Sequence, residues 1–260
     1  MNCKIAARFL VLFILLMNVA AFAKNTSTYY QVTVYHFKNA DQERLIDAFL
    51  KDAYLPGLHS KGQKNVGVFK PIANDTAADK TIYIFQSFKN IKQLANSADQ
   101  TWDVSTYGNA AEGYLNSNYK TPPYTRIETM VINAFKMAPQ MMLPALTSPK
   151  SDHIYEFRSY EGATEKLHNN KVKMFNEGGE VALFKRLNFN AVFYGKVIAG
   201  SRMPNLVYMT SFENRAERDA HWKAFVADPE WKKLSAMPEY QNNVSRNETI
   251  LMKAADYSDF

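Results

Sequence analysis

Eight side chains in this chain are of types, and at spacings, that could hold a small molecule. Glu156 and Arg158 are two residues apart, so on a strand they share one face, where a carboxylate and a guanidinium can orient a ligand or satisfy each other. Tyr194 and Tyr208 lie on the two apolar stretches that follow, and Arg202 lies in the connection between them. Tyr35 belongs to the first such stretch of the chain, on the side that corresponds to Glu156 and Arg158. His168 and Lys171 are three residues apart on a helical pattern, where a histidine beside a lysine could titrate or bind an anion. Polar groups brought by strands to one enclosed space would orient a small organic ligand. The same groups packed on one another would be a buried network that fixes strand register, and His168 with Lys171 would be the solvent-facing edge of an amphipathic helix. The residues alone leave both readings open.

The remaining chemistry is thin. The five histidines show no HxH or HExxH spacing, so no metal site is expected, and His221 beside Trp222 is a weaker ligand candidate than a packing neighbour. Gly178-Gly179 breaks a helical stretch, either as a kink beside a ligand or as a plain helix end. These glycines have neither the GxGxxG nor the P-loop spacing, and no GxSxG elbow occurs, so nucleotide binding and serine-type acyl transfer have no support. No cofactor is expected.

The elements that must position the candidates come in two copies. Phe37-Lys38-Asn39-Ala40 aligns with Tyr160-Glu161-Gly162-Ala163, Asn65-Val66-Gly67-Val68-Phe69 with Asn190-Ala191-Val192-Phe193-Tyr194, and Ser87-Phe88-Lys89-Asn90 with Ser211-Phe212-Glu213-Asn214. Three matches in order at nearly one offset indicate internal duplication. Each copy reads strand, helix, strand, strand, helix, strand, with Asn39, Asn90, Asn214 and Asp228 placed as helix caps. That order is ferredoxin-like, and each sheet would have one face covered by helices and one bare. The expected fold is therefore α+β, two ferredoxin-like βαββαβ repeats closing against each other as an intramolecular dimeric α+β barrel. The expected boundaries are a signal peptide at 1–23, a first repeat at 28–137, a linker at 138–151 holding three of the ten prolines, and a second repeat at 152–260. Alternation separates Val32, Val34, Tyr155 and Phe157 from Thr33, Tyr35, Glu156 and Arg158. The first set is expected to pack on helices and the second to look into the barrel.

Lys4 and Arg8, the apolar run from Phe9 to Leu16 and the small-x-small Ala21-Phe22-Ala23 form a secretory leader, too short in its apolar part for a comfortable membrane span. Export to the periplasm or the extracellular space is expected, with no membrane span after cleavage. The only cysteine is Cys3, within the leader, so neither disulfides nor a cysteine nucleophile is expected in the mature chain. The net charge of +6, from 31 basic and 25 acidic residues, is scattered, and no basic stripe interleaved with aromatics points to nucleic acid. The expected partner is a small organic ligand, with a homo-oligomer also compatible with the fold.

From Ser159 to Glu180 (Ser-Tyr-Glu-Gly-Ala-Thr-Glu-Lys-Leu-His-Asn-Asn-Lys-Val-Lys-Met-Phe-Asn-Glu-Gly-Gly-Glu) the chain resembles the NIPSNAP family. Val192-Phe193-Tyr194-Gly195, Met203-Pro204-Asn205-Leu206, Arg218-Asp219-Ala220-His221-Trp222 and Asp228-Pro229-Glu230-Trp231 carry the same resemblance. It extends over about residues 29 to 258 and is strongest in the second half. The resemblance implies a tandem dimeric α+β barrel, and together with the leader an exported bacterial member. It implies little chemistry: a small-molecule binder or cofactor-free enzyme, or else a non-catalytic interaction module.

Overall fold

A computed structural model describes residues 28–98 and 107–260; the leader expected at 1–23 lies outside the described residues. Eight strands form the frame: β1 (Tyr29–Phe37), β2 (Gly67–Pro71), β3 (Lys80–Phe88), β4 (Arg126–Ala134), β5 (Ile154–Glu161), β6 (Ala191–Ala199), β7 (Asn205–Phe212) and β8 (Arg246–Ala254). The first half adds helices α1 (Ala40–Phe49), α2 (Leu55–Ser60), α3 (Ile91–Ala98) and α4 (Asn109–Leu115). The second adds α5 (Glu165–Asn176), α6 (Glu180–Arg186), α7 (Arg215–Ala227) and α8 (Pro229–Ser235). Asn39, Thr164, Asn214 and Asp228 cap their helices with side-chain oxygens that accept backbone N–H groups. Gly179, with φ +90°, ends α5 and starts α6, so the glycine pair is a break between two helices.

All strand pairs are antiparallel and the sheet closes in the order β1-β3-β2-β8-β5-β7-β6-β4. The strands of each half are contiguous, as β4-β1-β3-β2 and β8-β5-β7-β6. The halves join along two seams, β2 with β8 and β4 with β6. Closure leaves no sheet edge with unpaired backbone groups.

The interior reverses one expectation. Val32, Val34, Tyr155 and Phe157 point into the barrel, where they pack with Phe69, Phe85 and Phe193. Glu156, Arg158, Thr33 and Tyr35 lie on the outer face under the helices. Alternation separated the two sets correctly, but β1 and β5 are covered on both faces, so alternation could not say which set faces inward. An eight-stranded barrel is just wide enough for side chains to fill, and a largely apolar set fills this one, the buried Tyr30 hydroxyl having no partner among the described residues. The polar face can afford the outside because α5–α8 bring partners to it.

Strand pairing also corrects the alignment of the two halves. Thr33 pairs with Ile84 and Thr129, whereas Arg158 pairs with Tyr208 and Thr249. Thr33 is thus the counterpart of Arg158, Gln31 of Glu156, and Tyr35 of Tyr160. Aligning Phe37 with Tyr160 was two residues off, an error to which a period of two is blind. A bulge between Ala191 and Phe193 likewise turns Tyr194 outward, although the sequence alignment matched it with the inward Phe69. The segment 138–151 runs over the second half. Met142 N–H donates to Val192 O (2.9 Å), and the Glu213 carboxylate accepts from the Thr147 and Ser148 N–H groups (2.8–3.0 Å).

Candidate functional site

Under α5–α8 the outer face of β5 and β7 carries a chain of polar contacts. Glu156, fully buried, is its root. Its Oε1 accepts from Arg158 Nε (2.6 Å) and Arg218 Nη2 (3.0 Å), and its Oε2 from Arg218 Nε (2.6 Å) and Trp222 Nε1 (2.8 Å). Burial alone would raise the Glu156 pKa, but the bonds from Arg218 and Arg158 outweigh it and hold the carboxyl below its ordinary value. The Arg158 guanidinium carbon lies 3.7 Å from the Trp222 ring centre, a close cation–π contact. Arg158 Nη1 donates to Tyr160 Oη (3.0 Å), and the Tyr160 and Tyr208 hydroxyls are bonded to each other at 2.9 Å. The guanidinium stays charged, because the tyrosine oxygens and Glu156 outweigh a desolvation that acts the other way.

This chain borders a cavity of about 450 Å³ between the sheet and the helices. Arg158, Tyr160 and Tyr208 form its floor; Phe184, Trp222, Phe225 and Trp231 form its walls; Lys171 and Glu180 close one end. Val226, 60% exposed, stands on its solvent side. Lys171 Nζ donates to Glu180 Oε2 (2.9 Å) and sits 4.8 Å from the Phe175 ring centre. Burial raises the Glu180 pKa, with Lys171 acting in the opposite direction. Burial likewise raises that of Tyr208, and Tyr160 adds to the effect.

Of the eight candidates, Arg158, Tyr208 and Lys171 meet at this cavity, and Glu156 lies beneath it as the anchor of Arg158. Tyr194 stacks on Tyr208 (ring centres 5.5 Å apart) but faces a second cavity of about 460 Å³, roofed by Met137–Met142. Arg202 does not join them: it pairs with Glu248 at one mouth of the barrel. Tyr35 lies in the other half, where its hydroxyl accepts from Tyr114 Oη (3.3 Å). His168 is buried against the Gly162 turn, and neither ring nitrogen has a partner among the described residues. With Lys171 also buried, the two are not the solvent-facing edge of their helix. Burial first, and Lys196 second, lower the His168 pKa to about 4. His221 Nδ1 bonds Glu217 O (2.9 Å) and its ring packs on Phe189 and Phe212, a packing role. No cluster of metal-ligating side chains occurs among the described residues.

Sequence reasoning missed Arg218 and Glu180 as members of the site and took Trp222 only as packing. Arg218, Trp222 and Phe225 are spaced i, i+4, i+7 after the Asn214 cap, a stripe that points one face of α7 at the sheet. Glu180 opens the helix that follows the glycine pair, where a carboxylate is also favoured by the helix dipole.

A closed eight-stranded antiparallel barrel wrapped by helices, with this cavity on its outer face, has the architecture of the dimeric α+β barrel proteins. Residues 155–259, within the second half, match the NIPSNAP family model. Among solved structures the chain is similar to a protein provisionally assigned as a monooxygenase from Fusobacterium nucleatum (7% identity, TM-score 0.57, 88% of this chain and 93% of that one). A second such protein, from Lactobacillus acidophilus, shares 10% identity at TM-score 0.56, covering 88% and 94%. An anthrone oxidase-like protein shares 8% at TM-score 0.52, covering 88% and 91%. At these identities the likeness is one of fold. No curated protein matches the chain.

Proposed function

We propose that this chain is an exported small-molecule-binding protein of the dimeric α+β barrel type, built from two ferredoxin-like repeats, with its ligand site in the second. One observation carries the reading: Arg158, anchored by Glu156 and set over the Trp222 ring, floors an aromatic-walled cavity of about 450 Å³. That volume is within the range of small-ligand sites, and a few fixed polar groups in an apolar wall is their usual composition. A site filled by its own side chains would instead favour a non-catalytic interaction module. The structural neighbours, provisionally assigned monooxygenases and an anthrone oxidase-like protein, favour an enzyme as a more specific form of the same reading, and the bonded Tyr160–Tyr208 hydroxyls are the groups that could hold a proton there. Export rests on the leader alone; the mass of the mature protein, beginning at Lys24, tests it.

A thermal-shift screen of carboxylates, sugars and quinones tests the binding site, run on the wild type and on Val226→Trp, which puts a large ring into the cavity from its exposed side. At least one class is expected to raise the Tm of the wild type and not of the variant. No shift across the panel would contradict the reading and favour the interaction module.

A further inference from the structure

Resting on that reading, we infer that the ligand of the second-half cavity is a flat aromatic ring system carrying one oxyanion. The floor is rich in unused donors. Arg158 spends Nε on Glu156 and Nη1 on Tyr160, and Nη2 has no partner among the described residues. Tyr160 and Tyr208 share one hydrogen bond, and Tyr160 also accepts from Arg158. Two hydroxyls bring two protons and use one between them, so one phenolic O–H is left over. With Tyr208 fully buried, it is the half-buried Tyr160 that can donate it to a ligand when Tyr208 donates to Tyr160. Nη2 and this O–H belong to one bonded chain on the cavity floor.

The charge balance agrees. Arg158 and Lys171 line the cavity against the single carboxylate Glu180, and Lys171 is already bonded to it. Glu156 is divided between two guanidiniums, so it neutralises neither fully. Asp219 also meets Arg218 (2.8 Å), but from a half-exposed position where water screens it. A ligand bearing one negative charge completes this set, while a cation would face Arg158 across a low-dielectric wall. The walls set the rest of the shape. Phe184 and Phe225 are packed on each other, while the half-buried Trp222 and Trp231 present aromatic surface to the cavity, which packs best on another flat ring.

Isothermal titration of the whole protein with three probes tests this: 2-naphthoate, its neutral isostere 2-naphthamide, and cyclohexanecarboxylate. The wild type is expected to bind 2-naphthoate at least about tenfold more tightly than either other probe, the scale of one charge-assisted hydrogen bond. In Arg158→Gln the preference for naphthoate over naphthamide is expected to fall towards one. Equal binding of naphthoate and naphthamide by the wild type would overturn the anion while leaving the binding site standing. Cyclohexanecarboxylate as tight as naphthoate would overturn the aromatic ring. No binding of any probe would overturn the inference, and the wider thermal-shift panel then decides the binding site by itself. The wild-type comparison suffices if Arg158→Gln does not fold.

Discussion

The two halves of the barrel present the same outer strand face to different occupants. In the second half that face carries Glu156, Arg158, Tyr160 and Tyr208, and a cavity stands above it. The counterparts in the first half are Gln31, Thr33, Tyr35 and Ile84. There a neutral hydrogen bond, Gln31 Nε2 to Thr33 Oγ1 (3.1 Å), replaces the ion pair. Leu94, buried, takes the place of Arg218 one turn after the helix cap. The space above is occupied by the protein's own rings: Tyr114 stacks on Phe49 at 4.1 Å and meets Tyr35 and Tyr124 edge-on or tilted. Even the Cβ position of Gly57 is taken by the Tyr107 ring. The difference teaches that one strand order, present in both halves, can carry either a filled core or an open cavity. The choice is made by a few side chains on the outer strands and the facing helix, not by the topology.

Glu156→Ala breaks the comparison most severely. It leaves two guanidiniums and the Trp222 N–H without their shared acceptor, and breaking a buried ion pair this way costs about 3–5 kcal/mol. Urea denaturation should register that loss, whereas the matching change in the first half, Gln31→Ala, should cost no more than about 1 kcal/mol for its neutral hydrogen bond. Similar losses at the two positions would mean that the halves are not differently built.

His168 gives the next effect, and the second half alone carries it, since the capping registers place Glu43 at the matching helix position. The folded protein keeps His168 neutral down to about pH 4, whereas the unfolded chain protonates it near the ordinary value of about 6.5. The unfolded state therefore binds more protons between those limits. This contribution is fully present above pH 6.5 and is lost as pH falls towards 4. At most about 3 kcal/mol of stability should disappear across that window. Urea midpoints against pH should fall there in the wild type and less steeply in His168→Leu.

A smaller change sharpens what the halves share. Asn90 and Asn214 cap matching helices, accepting from Gln93 N (2.9 Å) and Glu217 N (3.0 Å). Asn90→Ala and Asn214→Ala should each cost about 1 kcal/mol, with nearly equal shifts in urea midpoint.

Much of this frame was legible in the residues. The strand order, the caps at Asn39, Asn214 and Asp228, and the Glu156–Arg158 pair all follow from local spacing. The inward set was not legible, because a strand covered on both faces carries alternation without an address, and apolar Tyr155 suits the barrel as well as a helix interface. Arg202 was placed with Arg158 because both are basic and belong to the same half. Its loop leads to the barrel mouth instead, where Glu248 holds it. Arg218 was missed for a related reason: its contact with Glu156 spans 62 residues, and only the i, i+4 stripe with Trp222 hinted at it.

The most direct test of the account is a crystal structure of the protein with the strongest binder from the thermal-shift panel. The account predicts ligand density on the outer face of β5 and β7, against Arg158 and Trp222, and none over Tyr35 in the first half. Density over Tyr35, or a second-half cavity closed by Phe184 and Trp222 with the ligand elsewhere, would contradict it.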